Sequence, residues 1–326
     1  MQNRVITSIA VALGLGIFGA FIAGAAPSKR ESAAAGAAAQ APCDRACLNG
    51  FVDQYLAALV AHDPSKLPHS PMVKYTENNV VLQLGDGLWA TTDRIGSYKI
   101  YIDDPAAGEV GYFGVVYEDG NPGIFGTRLK IVDRKVTQIE TIVARRESAN
   151  STFPNPQGLK EKPIFYEDLP PAERLPRARM IAIANSYFDT IQENTGKIYA
   201  PFDANCARVE NGVQTANNPN ATGVAKMGCE AQLKTGLLRF VTRCRDRRFV
   251  VVDQQKGLVL VSAFFDHAGV LRTMKLTDGS TYHVKMPFDM PYSFVMFELF
   301  KIQNAKIRQI EAVIDTVPYH MPTPWK

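Results

Sequence analysis

Histidine and cysteine are scarce in this chain, five of each among 326 residues, and no cysteine pair stands at a tight metal spacing matched by nearby histidines. A zinc centre is therefore not expected. Also missing are GxSxG, HExxH, a P-loop and a GxGxxG that follows a strand, so serine hydrolysis, zinc proteolysis and nucleotide chemistry have no support. No sign of charge dominates: 36 Lys and Arg against 32 Asp and Glu leave a net charge of +4. The densest basic run, RFVTRCRDRR at Arg239 to Arg248, is short and reads as a solvated or salt-bridged helix face, so no nucleic-acid partner is expected.

One long apolar run is present, and it stands at the start. MQNR is positive, Val5 to Ile22 is apolar, and Ala23-Gly24-Ala25 has small-residue cleavage character. Residues 1–25 read as a signal peptide, with an uncleaved anchor as the competing reading. No cysteine follows closely enough for a lipoprotein. Residues 26–42 are an Ala-rich linker unable to bury enough apolar surface to fold. A periplasmic or secreted protein without stable membrane association after cleavage is expected. Cysteine usage agrees with an oxidising compartment: Cys43 with Cys47 and Cys206 with Cys229 read as short-range disulfides, leaving Cys244 free.

The length suggests two domains. Ala46 to Val60 places Leu48, Phe51, Val52, Tyr55, Leu56, Leu59 and Val60 at helical spacing, and Pro64 follows its exit. From Val73 the period shortens toward two, in runs at 73–84, 111–118, 126–133 and 135–144 broken by Asp86-Gly87, Asp119-Gly120 and Asp133-Arg134, which predicts an antiparallel meander. Residues 147–177 carry six prolines and no periodicity, and mark an interdomain connection. A helix restarts over 178–193, followed by strands at 258–265 and a closing hairpin at 293–317. The expected domains are 43–146 and 178–320, with a tail at 321–326.

The halves superimpose in sequence. RLKIVDRKVTQIETIV (128–143) lies over LFKIQNAKIRQIEAVI (299–314) at an offset of 171 (301 − 130), and KYTENN lies over ARVENG at an offset of 133 (210 − 77). An internal repeat with 38 extra residues (171 − 133) in the second copy accounts for both. The cysteine-bracketed loop and the polar segment around Asp278 to His283 have room for them.

The long helix, the strand entering with Tyr-Thr-Glu-Asn and the closing hairpin LKIVDRKVTQIETIV resemble the nuclear transport factor 2-like (NTF2-like), or SnoaL-like, superfamily. CDRACLNGFVDQYLAALVAHDP, GDGLW and GYFGVV in the first half, with VENGVQTANNP, RDRRF and FFDH in the second, resemble a secreted, poorly characterised family of fungi and bacteria. The resemblance spans nearly all of residues 43–320. It implies an α+β fold of two tandem cone-shaped domains, each a curved antiparallel sheet packed on helices around an apolar pocket. It further implies acid/base chemistry without cofactor or metal, of dehydratase, isomerase or lyase type, on a small hydrophobic or aromatic molecule; the alternative is a non-catalytic binding or assembly module. Since single-domain relatives pair through their sheets, a monomer with an internal pseudo-dimer is expected.

Candidate residues follow from chemistry. Glu77 and Glu210, each followed by Asn (Asn78, Asn211), can be acid or base with an orienting amide if they face a pocket, or strand-to-turn junctions if they do not. Tyr55, Tyr75, Trp89, Tyr98, Tyr101 and Tyr112 can line a site or simply pack. Asp266 and His267 at the end of an apolar strand are the leading acid/base candidates, with Arg247 or Arg248 polarising a carbonyl or holding an acidic substrate; the competing reading is a hairpin turn. Glu298 and Glu311 would face one another if Asn304-Ala305 is a two-residue turn, and carry no assigned role.

Overall fold

The computed structural model describes residues 43–146 and 154–325, and the signal-peptide and leader-linker expectations lie outside them. The first domain opens with α1 (Arg45–Val60), capped by the Asp44 carboxylate accepting from the Cys47 amide at 2.9 Å. Its stripe Leu48, Phe51, Val52, Tyr55, Leu56 and Leu59 is buried. Then come β1 (His69–Glu77), β2 (Val80–Leu82), the short α2 (Leu88–Thr91), β3 (Thr92–Asp104), β4 (Glu109–Glu118), β5 (Asn121–Val132) and β6 (Lys135–Ala144). They form a six-stranded sheet in the order β2-β1-β6-β5-β4-β3.

The second domain repeats this strand for strand. Helix α3 (Arg177–Glu193) buries Met180, Ile183, Ala184, Tyr187, Phe188 and Ile191, and ends at Asn194 in the left-handed region. It is followed by β7 (Phe202–Glu210), β8 (Val213–Ala216), α4 (Cys229–Lys234), β9 (Arg243–Asp253), β10 (Leu258–His267), the hairpin β11 (Thr273–Lys275) and β12 (Thr281–His283), β13 (Tyr292–Gln303) and β14 (Lys306–Val317). The sheet order is β8-β7-β14-β13-β10-β9. The fold is thus α+β, with two six-stranded sheets each packed on a helix.

Four local expectations are corrected. Each sheet is mixed rather than antiparallel, because β1 runs parallel to β6 and β7 parallel to β14; side-chain periodicity carries no strand direction. The run 73–84 divides into β1 and β2 at Asn78 and Asn79, both with positive φ, a hairpin turn. The basic run at 239–248 is not a helix face: its second half opens β9, whose arginines project to opposite sides of a strand. Strand β3 lies outside the predicted runs because its outer end, TDRIGSYK, is polar enough to hide the alternation.

The repeat offset steps from 133 at Glu77/Glu210 to 149 at Asp104/Asp253 and 171 at Lys130/Lys301, so 16 residues (149 − 133) are inserted before β9 and 22 (171 − 149) before β13. The first insertion holds α4, the second the β11–β12 hairpin. Cys43 with Cys47 and Cys206 with Cys229 lie at disulfide distance, and Cys244 is free and buried. That usage fits an oxidising compartment, and among the described residues no helix is long and apolar enough to cross a membrane.

The outer faces of the two sheets pack on one another, Ile100 and Phe113 sharing a buried cluster with Leu260 and Phe297. The contact is reciprocal. The Val252 amide donates to Asp104 at 3.0 Å and the Asp103 amide to Asp253 at 3.4 Å. Arg45, at the start of α1, pairs with Asp253, and Arg177, at the start of α3, pairs with Asp104. Each outer face is thereby covered, and each inner face is left to its own helix.

Candidate functional site in the second domain

The interiors of the two domains differ. In the first, Tyr55, Tyr75, Trp89 and Tyr112 are all fully buried, and Tyr55 meets Trp89 edge-on at 5.5 Å. Tyr55 hydrogen-bonds Thr141, which hydrogen-bonds Thr127 in turn. Glu77 accepts from the Tyr75 hydroxyl, the Leu88 amide and Arg145 at 2.7–2.8 Å, and Arg145 also binds Glu118. These side chains pack together in the core, where the Trp89 indole N–H is left without a hydrogen-bond partner.

The second domain keeps a cavity of about 360 Å³ between its sheet and helix. Its walls are apolar, with Phe240, Phe265, Phe288, Phe294, Met296 and Ile314 among them. Four polar residues converge on one stretch of it: Tyr187 from α3, Arg208 and Glu210 from β7, and Glu298 from β13. Arg208 is buried, its Nε 3.1 Å from Thr215 Oγ1 and 3.3 Å from Glu210, its Nη1 3.5 Å from the Tyr187 hydroxyl. Glu298 is 1 % exposed, and its Oε2 has no protein hydrogen-bond partner.

Burial pushes the Glu298 carboxyl up to about 8, with repulsion from Glu210 adding to it and Arg208 and the Tyr187 hydroxyl opposing. At neutral pH it is mainly a carboxylic acid. Burial also raises the Tyr187 phenol well above its ordinary value, reinforced by Glu298. For Arg208 burial works against the charge, but Glu210, Tyr187 and Glu298 outweigh it and the guanidinium stays protonated.

His267 also lines the cavity, stacked on Tyr292 at 4.4 Å and edge-on to Phe294 at 5.0 Å. Burial lowers its pKa to about 4, so the imidazole is neutral, and its Nδ1 has no protein partner. In the sheet His267 is paired with Tyr292, six residues before Glu298 on β13. At about 3.3 Å per residue that is roughly 20 Å along the strand. His267 and Glu298 therefore serve opposite ends of an elongated cavity and cannot share a proton.

Of the residues given a role from sequence, only Glu210 and His267 line this cavity; Glu298, named there without a role, lines it as well. Asp266 points to the opposite face of β10, bound by Arg245 and by Ser293 at 2.6 Å, so adjacent strand positions do not make an Asp-His pair. Arg247 binds Asp189 and Asn185 on α3, and Arg248 reaches across the sheet contact to Glu140. Tyr98 donates to Glu311 in that same contact, outside either interior. Tyr101 donates to Asp53 and meets Tyr112 edge-on, while Tyr55, Tyr75, Trp89 and Glu77 belong to the packed first core.

Asn78 and Asn211 do one matched task. The Asn78 amide brackets the backbone N–H and C=O of Val143, and Asn211 does the same to Ile314, 171 residues on (314 − 143). They clip the turn after the first strand to the last strand. Asn304-Ala305 is a two-residue turn with positive φ, yet a bulge at Arg308 shifts the register by one, so Glu298 faces Ala312 and Glu311 faces Leu299. Glu298 thus enters the cavity while Glu311 enters the sheet contact.

Sequence reasoning missed Arg208, Tyr187 and the role of Glu298. A signal for two of them was present: laying the copies together puts Arg208 over Tyr75 and Glu298 over Thr127, charge where the other half is neutral. Among the described residues no three His, Cys, Asp or Glu side chains group as metal ligands.

Residues 173–314, which include the whole cavity lining, match the profile of a family described as a domain of unknown function, DUF8021. No curated protein matches the chain. Among solved structures, a de novo designed protein with a curved β-sheet aligns at 18 % identity and a TM-score of 0.26, over 31 % of this chain and 87 % of the design. AclR from Streptomyces galilaeus, titled as a candidate hydroxylase, aligns at 15 % identity and the same TM-score of 0.26, over 32 % of this chain and 82 % of its own.

Proposed function

We propose that the second domain is a small-molecule site of an exported protein, and that it performs cofactor-independent acid/base chemistry on an elongated hydrophobic or aromatic compound carrying a neutral carbonyl. The observation that carries this is Glu298: a carboxyl fully inside an apolar cavity, beside a buried Arg208 and Tyr187, with one oxygen uncommitted. The Arg208 charge already has Glu210 at 3.3 Å, so a second carboxylate brought by the ligand gains little. A carbonyl oxygen, by contrast, accepts from protonated Glu298 at its uncommitted oxygen. A group whose pKa lies near the working pH can release and recover a proton at adjacent carbon or oxygen. The aromatic wall at Phe288, Phe294 and His267 suits a flat, unsaturated tail.

The test is a thermal-shift series of phenolic ketones and lactones with matched carboxylates, followed by NMR of each binder in D2O. A ligand at 100 to 1,000 times its dissociation constant adds about 3–4 kcal/mol. The ketone is expected to bind more tightly than its carboxylate partner, with the proton next to its carbonyl exchanging in the wild type and not in Glu298→Gln. Binding without exchange in either protein would make the domain a carrier. The absence of any stabilising compound would refute the site.

A further inference from the structure

Two cross-links join β7 to α4 in the second domain. Cys206 is bonded to Cys229; two residues along the strand, Arg208 Nη2 donates to Oε1 of Gln232, three residues along the helix. Spacings of two on a strand and three on a helix keep both rungs on the facing surfaces. Gln232 is 3 % exposed and its amide is fully used, since Nε2 donates to the Thr215 carbonyl at 2.7 Å and the Val224 carbonyl at 2.9 Å. It cannot turn without leaving buried polar groups unpaired. The first domain has none of this: Val73 and Tyr75 stand at the places of Cys206 and Arg208, and Tyr75 donates to Glu77 instead.

We propose that Gln232, tethered through the Cys206–Cys229 disulfide, is a positioning residue that holds the Arg208 guanidinium away from the uncommitted oxygen of Glu298 at the polar end of the cavity. This rests on the reading of that end as the reactive one. Thr215, Glu210 and Tyr187 engage the remaining nitrogens of Arg208. Without Gln232 the freed Nη2 has Glu298 Oε2 available, a buried oxygen of the same cavity with no protein donor. A guanidinium paired with that carboxyl favours its ionised form. The other titratable groups near Glu298 are Tyr187 from α3, Glu210 from β7 and Cys244 from β9, and neither Gln232 substitution below alters them.

The experiment follows the Glu298 carboxyl by NMR of the full chain carrying 13C-labelled glutamate, assigned with Glu298→Gln. Gln232→Leu is expected to lower the midpoint by at least about one pH unit, a tenfold gain in acidity. Gln232→Glu keeps a partner for Arg208 and adds a negative charge, so its midpoint should stay or rise. The Cys206→Ser/Cys229→Ser double variant, with α4 untethered, should move in the direction of Gln232→Leu. If Gln232→Leu does not fold, the opposed signs of the other two variants carry the test. A midpoint equal to wild type in Gln232→Leu, or moving the same way in both Gln232 variants, overturns the proposal while leaving ligand binding untouched. Opposed midpoints in a protein that binds none of the compounds would instead sink the functional reading alone.

Discussion

At three matched places the first domain has Tyr75, Thr127 and Thr141, and the second has Arg208, Glu298 and Ala312. The helix contributes a tyrosine to both, Tyr55 and Tyr187, each buried. In the first domain Tyr55, Thr141 and Thr127 form a neutral hydrogen-bonded chain, Tyr75 donates to Glu77, and Trp89 packs against Tyr55. At the position of His267 the first domain has Glu118, tied to Arg145. One sheet topology therefore supports a packed core in one copy and a charged, partly empty one in the other. The difference teaches where the fold tolerates function: at inward positions of the first and fifth strands, facing the helix.

The largest effects should come from exchanging those conditions. Trp89→Ala opens space in the first domain and should cost about 3–5 kcal/mol in urea unfolding, as large aromatic deletions in cores do. A loss under 1 kcal/mol would mean the first interior is not packed as described. Arg208→Met should cost a comparable ~3–5 kcal/mol by leaving Glu210 without its cation and the Thr215 and Gln232 oxygens without their donor.

Next in size is a pH effect confined to the second domain. The folded pKa of Glu298, about 8, lies above its ordinary 4.5, so its contribution is full below pH 4.5 and lost as pH rises through 8. Relative to Glu298→Gln, the wild type should lose on the order of 2–4 kcal/mol between pH 5 and 8.5. Glu311, raised to about 7 by burial in the sheet contact, titrates in the same sense, and it cancels when the two proteins are compared. Parallel stability profiles would show that Glu298 is not buried as an acid. By contrast, Asn78→Ala and Asn211→Ala should each cost about 2–3 kcal/mol, because both strand two backbone groups of the last strand, and Asn78→Ala should cost slightly more because Asn78 also donates to Asp315. A loss under about 1 kcal/mol in either variant would show that its turn is not clipped to the last strand.

How much of this was legible in sequence follows from what periodicity reports. Helices α1 and α3 were legible because their stripes recur at 3.6 residues, and the hairpin of β13 and β14 because it repeats β5 and β6 nearly residue for residue. Strand β9 was not: RCRDRR is charged on both faces because one serves α3 and the other the sheet of the first domain. The site was hidden for a related reason. Glu298 reads as one carboxylate in FVMFELFKI, and its direction depends on a bulge at Arg308 that an ordinary turn sequence does not announce. Asp266 and His267 looked like a pair because they are adjacent, which in a strand is the arrangement that separates them.

The smallest expected effect separates the two basic groups that the sequence left in competition. Arg247 pairs with Asp189, a residue 44 % exposed at its side chain, and with Asn185 on the outer part of α3, and its guanidinium lies 5.6 Å from the Phe188 ring. A partly solvated pair of this kind is worth about 0.2–1 kcal/mol. Arg247→Ala should therefore shift stability by no more than that, and leave both the Glu298 titration and any ligand-induced stabilisation as they are in the wild type. Arg208 acts from inside the cavity, within reach of Tyr187 and Glu210, and its removal should change both. If Arg247→Ala instead abolished ligand binding, the reactive end would lie toward α3 and β9, and the contrast between the two interiors would have been drawn at the wrong positions.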